Sequence, residues 1–269
     1  MKNINKIQLC RSAIPSLGRG GNMSDYSLKR FIKKTLRLDP VLQKYRLMSE
    51  LPPYLHQVVI GLLLSDGSIE RPSLTGGARL SVILGINTLP YLTHLFKLFE
   101  PFTDSGIKHL EVKDKKTGKS YTTVRFKTTM LPLFIYYHKL FYVFDASTQD
   151  RKKNIKIVPD NIESLMTPVV LANLIMGDGN LKKGDNIIRI YTNSFTKSDV
   201  EKLASAITNK LGIISKAVHD RNDQYMLTIS KAQLEKVIEL VSPHMHPSLR
   251  CKLGLSSCDR RTRSHEYHR

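Results

Sequence analysis

Two apolar runs, each ending in an acid and a glycine, organise the hydrophobic pattern of this chain. The first is Val59-Ile60-Gly61-Leu62-Leu63-Leu64-Ser65-Asp66-Gly67, and its echo is Leu171-Ala172-Asn173-Leu174-Ile175-Met176-Gly177-Asp178-Gly179. Both are apolar on every side and too short to cross a bilayer. Each is preceded by proline at helix-start distance (Pro52-Pro53 and Pro168), which predicts two buried helices. Gly67 and Gly179 read as helix C-caps, so Asp66 and Asp178 fall in the last turn. Small residues four apart, Gly61 with Ser65 and Asn173 with Gly177, lay a low stripe along one face of each helix. Two such stripes let the helices pack side by side, and a parallel pair would bring both carboxylates to one place.

Around these runs the period alternates between helix and strand. Residues 25–38 predict a helix with Leu28, Phe31, Ile32 and Leu36 on one face and Arg30, Lys33, Lys34 and Arg37 on the other. Arg79 to Ile86 has apolar even positions, the pattern of a strand with one buried face. A helix from Thr88 to Phe99 follows, stopped near Pro101, then a hairpin over 107–128 turning at Lys115-Lys116-Thr117-Gly118. In its second strand Val124 and Phe126 point inward, with Tyr121, Thr123, Arg125 and Lys127 opposite. A helix from Leu131 to Phe144 closes the unit. After the second apolar run the order repeats. Ile188 to Asn193 alternates, with Arg189, Tyr191 and Asn193 on one face. Thr196 caps a helix that ends at Gly212, and a hairpin over 214–230 turns at 220–223. Its Tyr225, Leu227 and Ile229 point inward and Gln224, Met226, Thr228 and Ser230 outward, and Lys231 to Val241 forms the last helix. The organisation is a basic N-terminal extension (1–48), a first repeat (49–150), a linker (151–167) with the basic run Arg151-Lys152-Lys153, a second repeat (168–255) and a basic tail (256–269).

Charge changes what the repeat means. The chain carries 42 Lys and Arg against 23 Asp and Glu, a formal net charge of +19, which calls for a polyanionic partner. No long apolar segment or basic amphipathic helix with large apolar anchors points to a membrane instead. Residues 1–24 hold no acid, four basic residues and several serines, which suits a disordered tail or a mitochondrial transit segment. The three cysteines, Cys10, Cys251 and Cys258, are odd in number and spread out, so reduced thiols in a reducing compartment are expected. Two repeats related by an approximate twofold axis give two antiparallel sheets, each with one face free and polar. A concave sheet of this kind fits the DNA major groove, where base edges are distinguishable. Arg79, Ser81, Tyr121, Thr123, Arg125, Lys127, Arg189, Tyr191, Asn193, Lys216, Gln224 and Thr228 are the expected DNA contacts.

Two carboxylates at helix C-termini, where the dipole is already negative, repel unless a proton or a hard divalent cation lies between them. The duplicated run resembles the LAGLIDADG motif of homing endonucleases in the single-chain, two-motif form. Asp66 and Asp178 stand at the motif's final acid, Leu64 and Met176 replace its inner acid, and Asn173 replaces a usual small residue. The resemblance implies an α+β fold of two αββαββα repeats in a pseudo-twofold arrangement, forming a DNA-binding saddle with the motif helices at its centre. It implies a partner strand before the first one, near Ser68 to Leu74. It also implies Asp66 and Asp178 as metal-binding catalytic acids, with the Ser65 and Gly177 carbonyls as further ligands. One lysine near each half-site is implied too: Lys252, in His246-Pro247-Ser248-Leu249-Arg250-Cys251-Lys252-Leu253, and Lys156, in Lys156-Ile157-Val158-Pro159, where Lys152 and Lys153 compete. Thr192-Asn193-Ser194-Phe195-Thr196 is similar to the same subfamily. Mg²⁺ suits a site with few protein ligands, with Ca²⁺ or Mn²⁺ as substitutes.

The expected activity is site-specific, metal-dependent double-strand cleavage of a long DNA target by a monomer. Members with such basic chains are typically organellar intron products, so the expected compartment is the mitochondrion. An RNA maturase acting on an intron and a catalytically silent DNA-binding protein of the same fold are the rival readings. Gly118-Lys119-Ser120 ends like a phosphate-binding loop but lacks the upstream glycine. His244, His246, Cys251 and Cys258 match no common zinc spacing.

Overall fold

The computed structural model describes residues 40–114, 118–144 and 154–255. The helix expected over 25–38, the turn residues 115–117, the run Arg151-Lys152-Lys153 and the tail from residue 256 lie outside the described residues. A short helix α1 (Pro40–Arg46) precedes the first repeat, which runs α2 (Pro53–Leu63), β1 (Gly67–Glu70), β2 (Arg79–Gly85), α3 (Leu89–Phe99), β3 (Lys108–Lys113), β4 (Ser120–Lys127) and α4 (Phe134–Phe141). The connection carries β5 (Tyr142–Phe144), β6 (Asn154–Lys156) and the single turn α5 (Ile162–Leu165). The second repeat is α6 (Pro168–Asp178), β7 (Gly179–Lys182), β8 (Ile187–Ile190), α7 (Lys197–Leu211), β9 (Ser215–Arg221), β10 (Gln224–Ile229) and α8 (Leu234–Val241). This is an α+β fold of two αββαββα units. The sheets share one antiparallel order, β1-β2-β4-β3 and β7-β8-β10-β9, and Gly67 opposes Val82 as Gly179 opposes Ile190.

Alternation explains which face of each sheet is buried. Leu80, Val82, Val124 and Phe126 face the first repeat's helices, and Ile188, Ile190, Leu227 and Ile229 face the second's; all are enclosed. The helix α7 starts and stops as its sequence predicts. Thr196 accepts a hydrogen bond from the Asp199 N–H, and Gly212 takes the left-handed conformation at φ 62°.

Several boundaries differ from the sequence reading. The helix expected to reach Phe144 stops at Phe141, because Tyr142-Val143-Phe144 favours a strand and finds a partner in Asn154-Ile155-Lys156. The connecting segment is therefore structured, and Val158, Ile162 and Met166 are buried in the core. Residues 40–46, assigned to the N-terminal extension, pack on the first repeat. There the Arg46 guanidinium meets Asp104 at 2.6 Å and donates to the Pro101 and Thr103 carbonyls. The strand expected near 68–74 is limited to Gly67–Glu70. In the second sheet β8 ends at Ile190, so Tyr191 and Asn193 lie beyond it, and Met226, expected outward, is buried. Cys251 is disulfide-bonded, contrary to the expected free thiol. That removes the thiol argument for a reducing compartment.

The motif helices pack parallel at close range. Thr167 Oγ1 donates to Gln57 Oε1 at the start, Gly61 faces Val170 and Asn173 midway, and Gly177 faces Ser65 and Asp66 at the end. A Cβ on Gly61 would come within 2.5 Å of the Asn173 Cβ and 2.7 Å of the Val170 carbonyl oxygen. Asn173, the polar intruder in this seam, is fully satisfied. Its amide donates to the Val169 carbonyl and its Oδ1 accepts from the Tyr91 hydroxyl, both at 2.9 Å. Burial, with the charge of Asp66 adding to it, pushes the Tyr91 hydroxyl above its ordinary value and keeps it a donor. Tyr91→Phe should therefore cost about 1–3 kcal/mol, because Asn173 Oδ1 is left buried without a donor. Urea unfolding measures this.

Candidate active site

The two glycines that follow the acids are not left-handed caps. Gly179 has φ −82° and ψ 150°, and each of Gly67 and Gly179 opens a strand at the helix end. Their lack of a side chain serves close approach. A Cβ on Gly67 would meet the Leu62 carbonyl oxygen at 2.8 Å, and one on Gly179 the Ile175 carbonyl oxygen at 2.7 Å. The second repeat turns from helix into strand at its acid, and the first does so through the three-residue turn 64–66 that ends in its acid. Asp178 is the last residue of α6, and Asp66 sits just past α2.

The parallel seam brings the two acids together. A Cβ on Gly177 would lie 3.1 Å from Asp66 Oδ2, so the first carboxylate rests against the residue preceding the second. Both acids act electrostatically on the Lys156 ammonium. Lys156 enters from the β5–β6 ribbon and donates to the carbonyls on either side of Asp66, Ser65 O at 3.1 Å and Gly67 O at 2.9 Å. Its Nζ also lies 5.8 Å from the centre of the Phe195 ring, which belongs to the second repeat. Burial pushes the Lys156 amine down to about 8, and the charges of Asp178 and Asp66 offset only part of that. From the other side Lys252 donates to Gly177 O at 2.5 Å. Each repeat thus contributes an acid and a carbonyl, and one lysine from a flanking segment grips that carbonyl.

Four expected site residues (Asp66, Asp178, Lys156 and Lys252) and both expected carbonyls meet here. Phe195 explains why the Thr192–Thr196 segment matters: it forms a wall beside Lys156. Asn193, expected on a strand face, sits in that turn with Oδ1 enclosed and without a hydrogen-bond partner among the described residues.

The open sheet faces hold the remaining expected residues. On β4 Arg125 and Lys127 alternate with the buried Val124 and Phe126, while Tyr121 and Thr123 are half-buried beside the exposed Ser120 and Thr122. On the second sheet Arg189 stands between Asn180 and Thr228, and Thr228 opposes Lys216, which makes one row across four strands. Gln224 lies at the hairpin end, where its Oε1 accepts from Arg221. Two expected contacts are already engaged. Arg79 and Lys127 both bind Glu70, at 2.7 and 2.5 Å. Ser81, expected as an open contact, is 1% exposed, because the Lys127–Glu70 pair crosses β2 beside it. Glu70 escaped the sequence reading because its strand has four residues and no clear alternation.

The duplicated geometry agrees with comparisons to known proteins. The chain is 28% identical over 202 residues to the cytochrome b mRNA maturase bI2 of Saccharomyces cerevisiae, covering 73% of this chain but only 46% of that protein. It is 26% identical over 205 residues to the DNA endonuclease I-ChuI of Chlamydomonas applanata, covering 73% and 93%. Among solved structures, the homing endonuclease I-WcaI bound to its DNA recognition sequence superposes with a TM-score of 0.69. That match has 21% identity and covers 84% of this chain and 98% of that one, a likeness of fold. The model of the LAGLIDADG DNA endonuclease family matches residues 56–237, from the start of the first motif helix into the final helix. The chain belongs to the LAGLIDADG DNA endonuclease family.

Proposed function

We propose that the protein is a site-specific homing endonuclease that hydrolyses both strands of a long DNA target in a divalent-metal-dependent reaction, as a monomer. One observation carries this reading: the close seam between the motif helices leads Asp66 and Asp178 to neighbouring positions flanked by Lys156 and Lys252. The relatives named as endonucleases support it, and the net charge of +19 suits a DNA partner. Relatives named as intron-encoded endonucleases support an intron origin, and those named as cytochrome b mRNA maturases support a mitochondrial compartment.

The donor set fits a hard cation. Among the described residues no three His, Cys, Asp or Glu side chains converge to hold a metal. Any ion at the helix ends would therefore take Asp66, Asp178 and the Ser65 and Gly177 carbonyls. Those carbonyls already accept hydrogens from ammonium groups. So few protein ligands, all oxygen, suit Mg²⁺, with Mn²⁺ or Ca²⁺ able to occupy the same site. Bound there, the ion supplies charge stabilisation to the phosphoryl oxygens and the departing 3′ oxygen.

The chain's own groups do the rest. As a neutral amine Lys156 keeps two N–H donors for the Ser65 and Gly67 carbonyls and frees one lone pair, which accepts a proton from water. Lys252 donates to Gly177 O, the carbonyl next to the second acid. The open faces of both sheets carry Arg125, Lys127, Arg189 and Lys216 to the groove and phosphates.

A pH dependence follows with a definite sign. Because the neutral amine is the active form and its pKa is about 8, cleavage should rise about tenfold per pH unit below that value and level off above it. Lys156→Met should remove this limb. Single-turnover rates from pH 6 to 9.5 measure it, and a rate that falls through pH 8 would show that the charged form is required. Function itself is tested by incubating the chain with a randomised duplex library in Mg²⁺ or EDTA. Cleavage at a defined sequence in Mg²⁺ alone is expected, and the absence of any cleaved sequence sinks the proposal. The maturase relatives favour a second reading, assistance to intron RNA splicing, and a splicing assay on the host intron separates the two.

A further inference from the structure

The acid on the first sheet's open face is unexpected on a surface meant for a polyanion. Glu70 ends β1 opposite Arg79 and receives two cations, Arg79 Nε at 2.8 Å and Lys127 Nζ at 2.5 Å. All three side chains are only about a quarter to a third exposed, and Ser81 Oγ between them has no partner among the described residues. Burial pushes the Glu70 carboxyl up. The hydrogen bonds and charges of Lys127 and Arg79 outweigh that and hold it below the usual carboxylate range, so it stays ionised at neutral pH.

A lone carboxylate facing phosphates would only weaken binding. A carboxylate fixed beside a guanidinium and an ammonium offers something phosphates do not use: one acceptor and several donors at adjoining points. In the major groove one base pair presents the complement of that set. Cytosine offers its N4 amine as a donor, and its guanine partner offers O6 and N7 as acceptors. An A·T pair orders its groups differently, with the adenine amine between the N7 and O4 acceptors, so an acceptor stands where the acid would need the cytosine donor.

We propose that Glu70 is a specificity-determining residue that, with Arg79 and Lys127, reads one C·G base pair. The carboxylate accepts from the cytosine amine, and the two cations donate to guanine. The ion pairs of the free protein hold the three groups in place before DNA arrives. This rests on the DNA-endonuclease reading above.

The test compares two chains on an Asp178→Asn background, which blocks cutting: one with Glu70 and one with Glu70→Gln. Bound duplexes are recovered from a randomised library and their base preferences compared. The Glu70 chain should prefer C·G at one position by roughly five- to a hundredfold. Glu70→Gln should lose that preference or turn it toward A·T, since a glutamine pairs with adenine, while preferences elsewhere persist. Arg79→Gln, which retains the Glu70–Lys127 pair, should disturb the same position. An unchanged profile, a uniform loss at all positions, or disturbance of different positions by the two variants would each overturn the proposal. A Glu70 chain that selects no sequence at all would instead overturn the endonuclease reading, and this proposal with it.

Discussion

Asp66→Asn and Asp178→Asn should each reduce double-strand cleavage by at least about a hundredfold while leaving DNA binding largely intact. The two acids come from different repeats yet converge, with Asp66 Oδ2 placed 3.1 Å from where a Cβ on Gly177 would stand. Each amide variant keeps the shape and removes one charge from the shared site. Charge stabilisation by a bound ion is worth several kcal/mol, and about 1.4 kcal/mol corresponds to a decade in rate. Binding is spared because affinity for DNA comes from the basic sheet faces and their phosphate contacts. Single-turnover cleavage and gel-shift affinity, measured on the same target, separate the two effects. If both variants cut at the normal rate, the assignment of these acids fails.

The second large effect is expected from the glycines of the seam, and it differs between them. Gly61→Ala places a methyl group 2.5 Å from the Asn173 Cβ and 2.7 Å from a backbone oxygen of α6, so the helices must separate. Overpacking of this kind costs about 1–3 kcal/mol and sometimes more. Gly177→Ala meets Ser65 Oγ and Cβ at 2.5 and 2.6 Å, side-chain atoms at the end of the seam, and Asp66 lies next to them. Its main consequence is a displaced carboxylate, and a displacement of about 1 Å can cost a hundredfold in rate. Gly61→Ala should therefore fail mainly in urea unfolding and Gly177→Ala mainly in turnover. The opposite ranking would mean that the seam does not set the position of the acids.

Much of the site was legible in the sequence because duplication restricts interpretation. One Asp-Gly at the end of an apolar run is a common turn, whereas two in matching context, each following a pair of residues four apart (Gly61 with Ser65, Asn173 with Gly177), imply a seam. The alternation of β2 was equally plain, since Leu80, Val82 and Leu84 are enclosed, and Val124 and Phe126 follow it in the second half of β4. The errors have physical reasons. Gly67 and Gly179 carry the signature of a helix cap, but close approach to the Leu62 and Ile175 carbonyls leaves the same residue type as a left-handed φ does. The β5–β6 ribbon lay hidden because three-residue strands show no period, and the segment's basic composition read as a linker. Asn173 looked like a liability because its partner, Tyr91, comes from α3 and is distant in sequence. Glu70 could be found only after the register placed it opposite Arg79.

Both motif-helix ends are expected to hold one cation between them. Replacing Mg²⁺ with Fe²⁺ in the DNA-bound protein and adding ascorbate and peroxide generates hydroxyl radicals at the ion, which cut nearby backbone. Mapping the fragments by mass spectrometry locates the ion directly. Paired cuts should appear around residues 64–67 and 176–179, fade when Mg²⁺ competes, and disappear in the Asp66→Asn, Asp178→Asn double variant. Cuts confined to one of these segments, or centred elsewhere in the chain, would contradict a shared site.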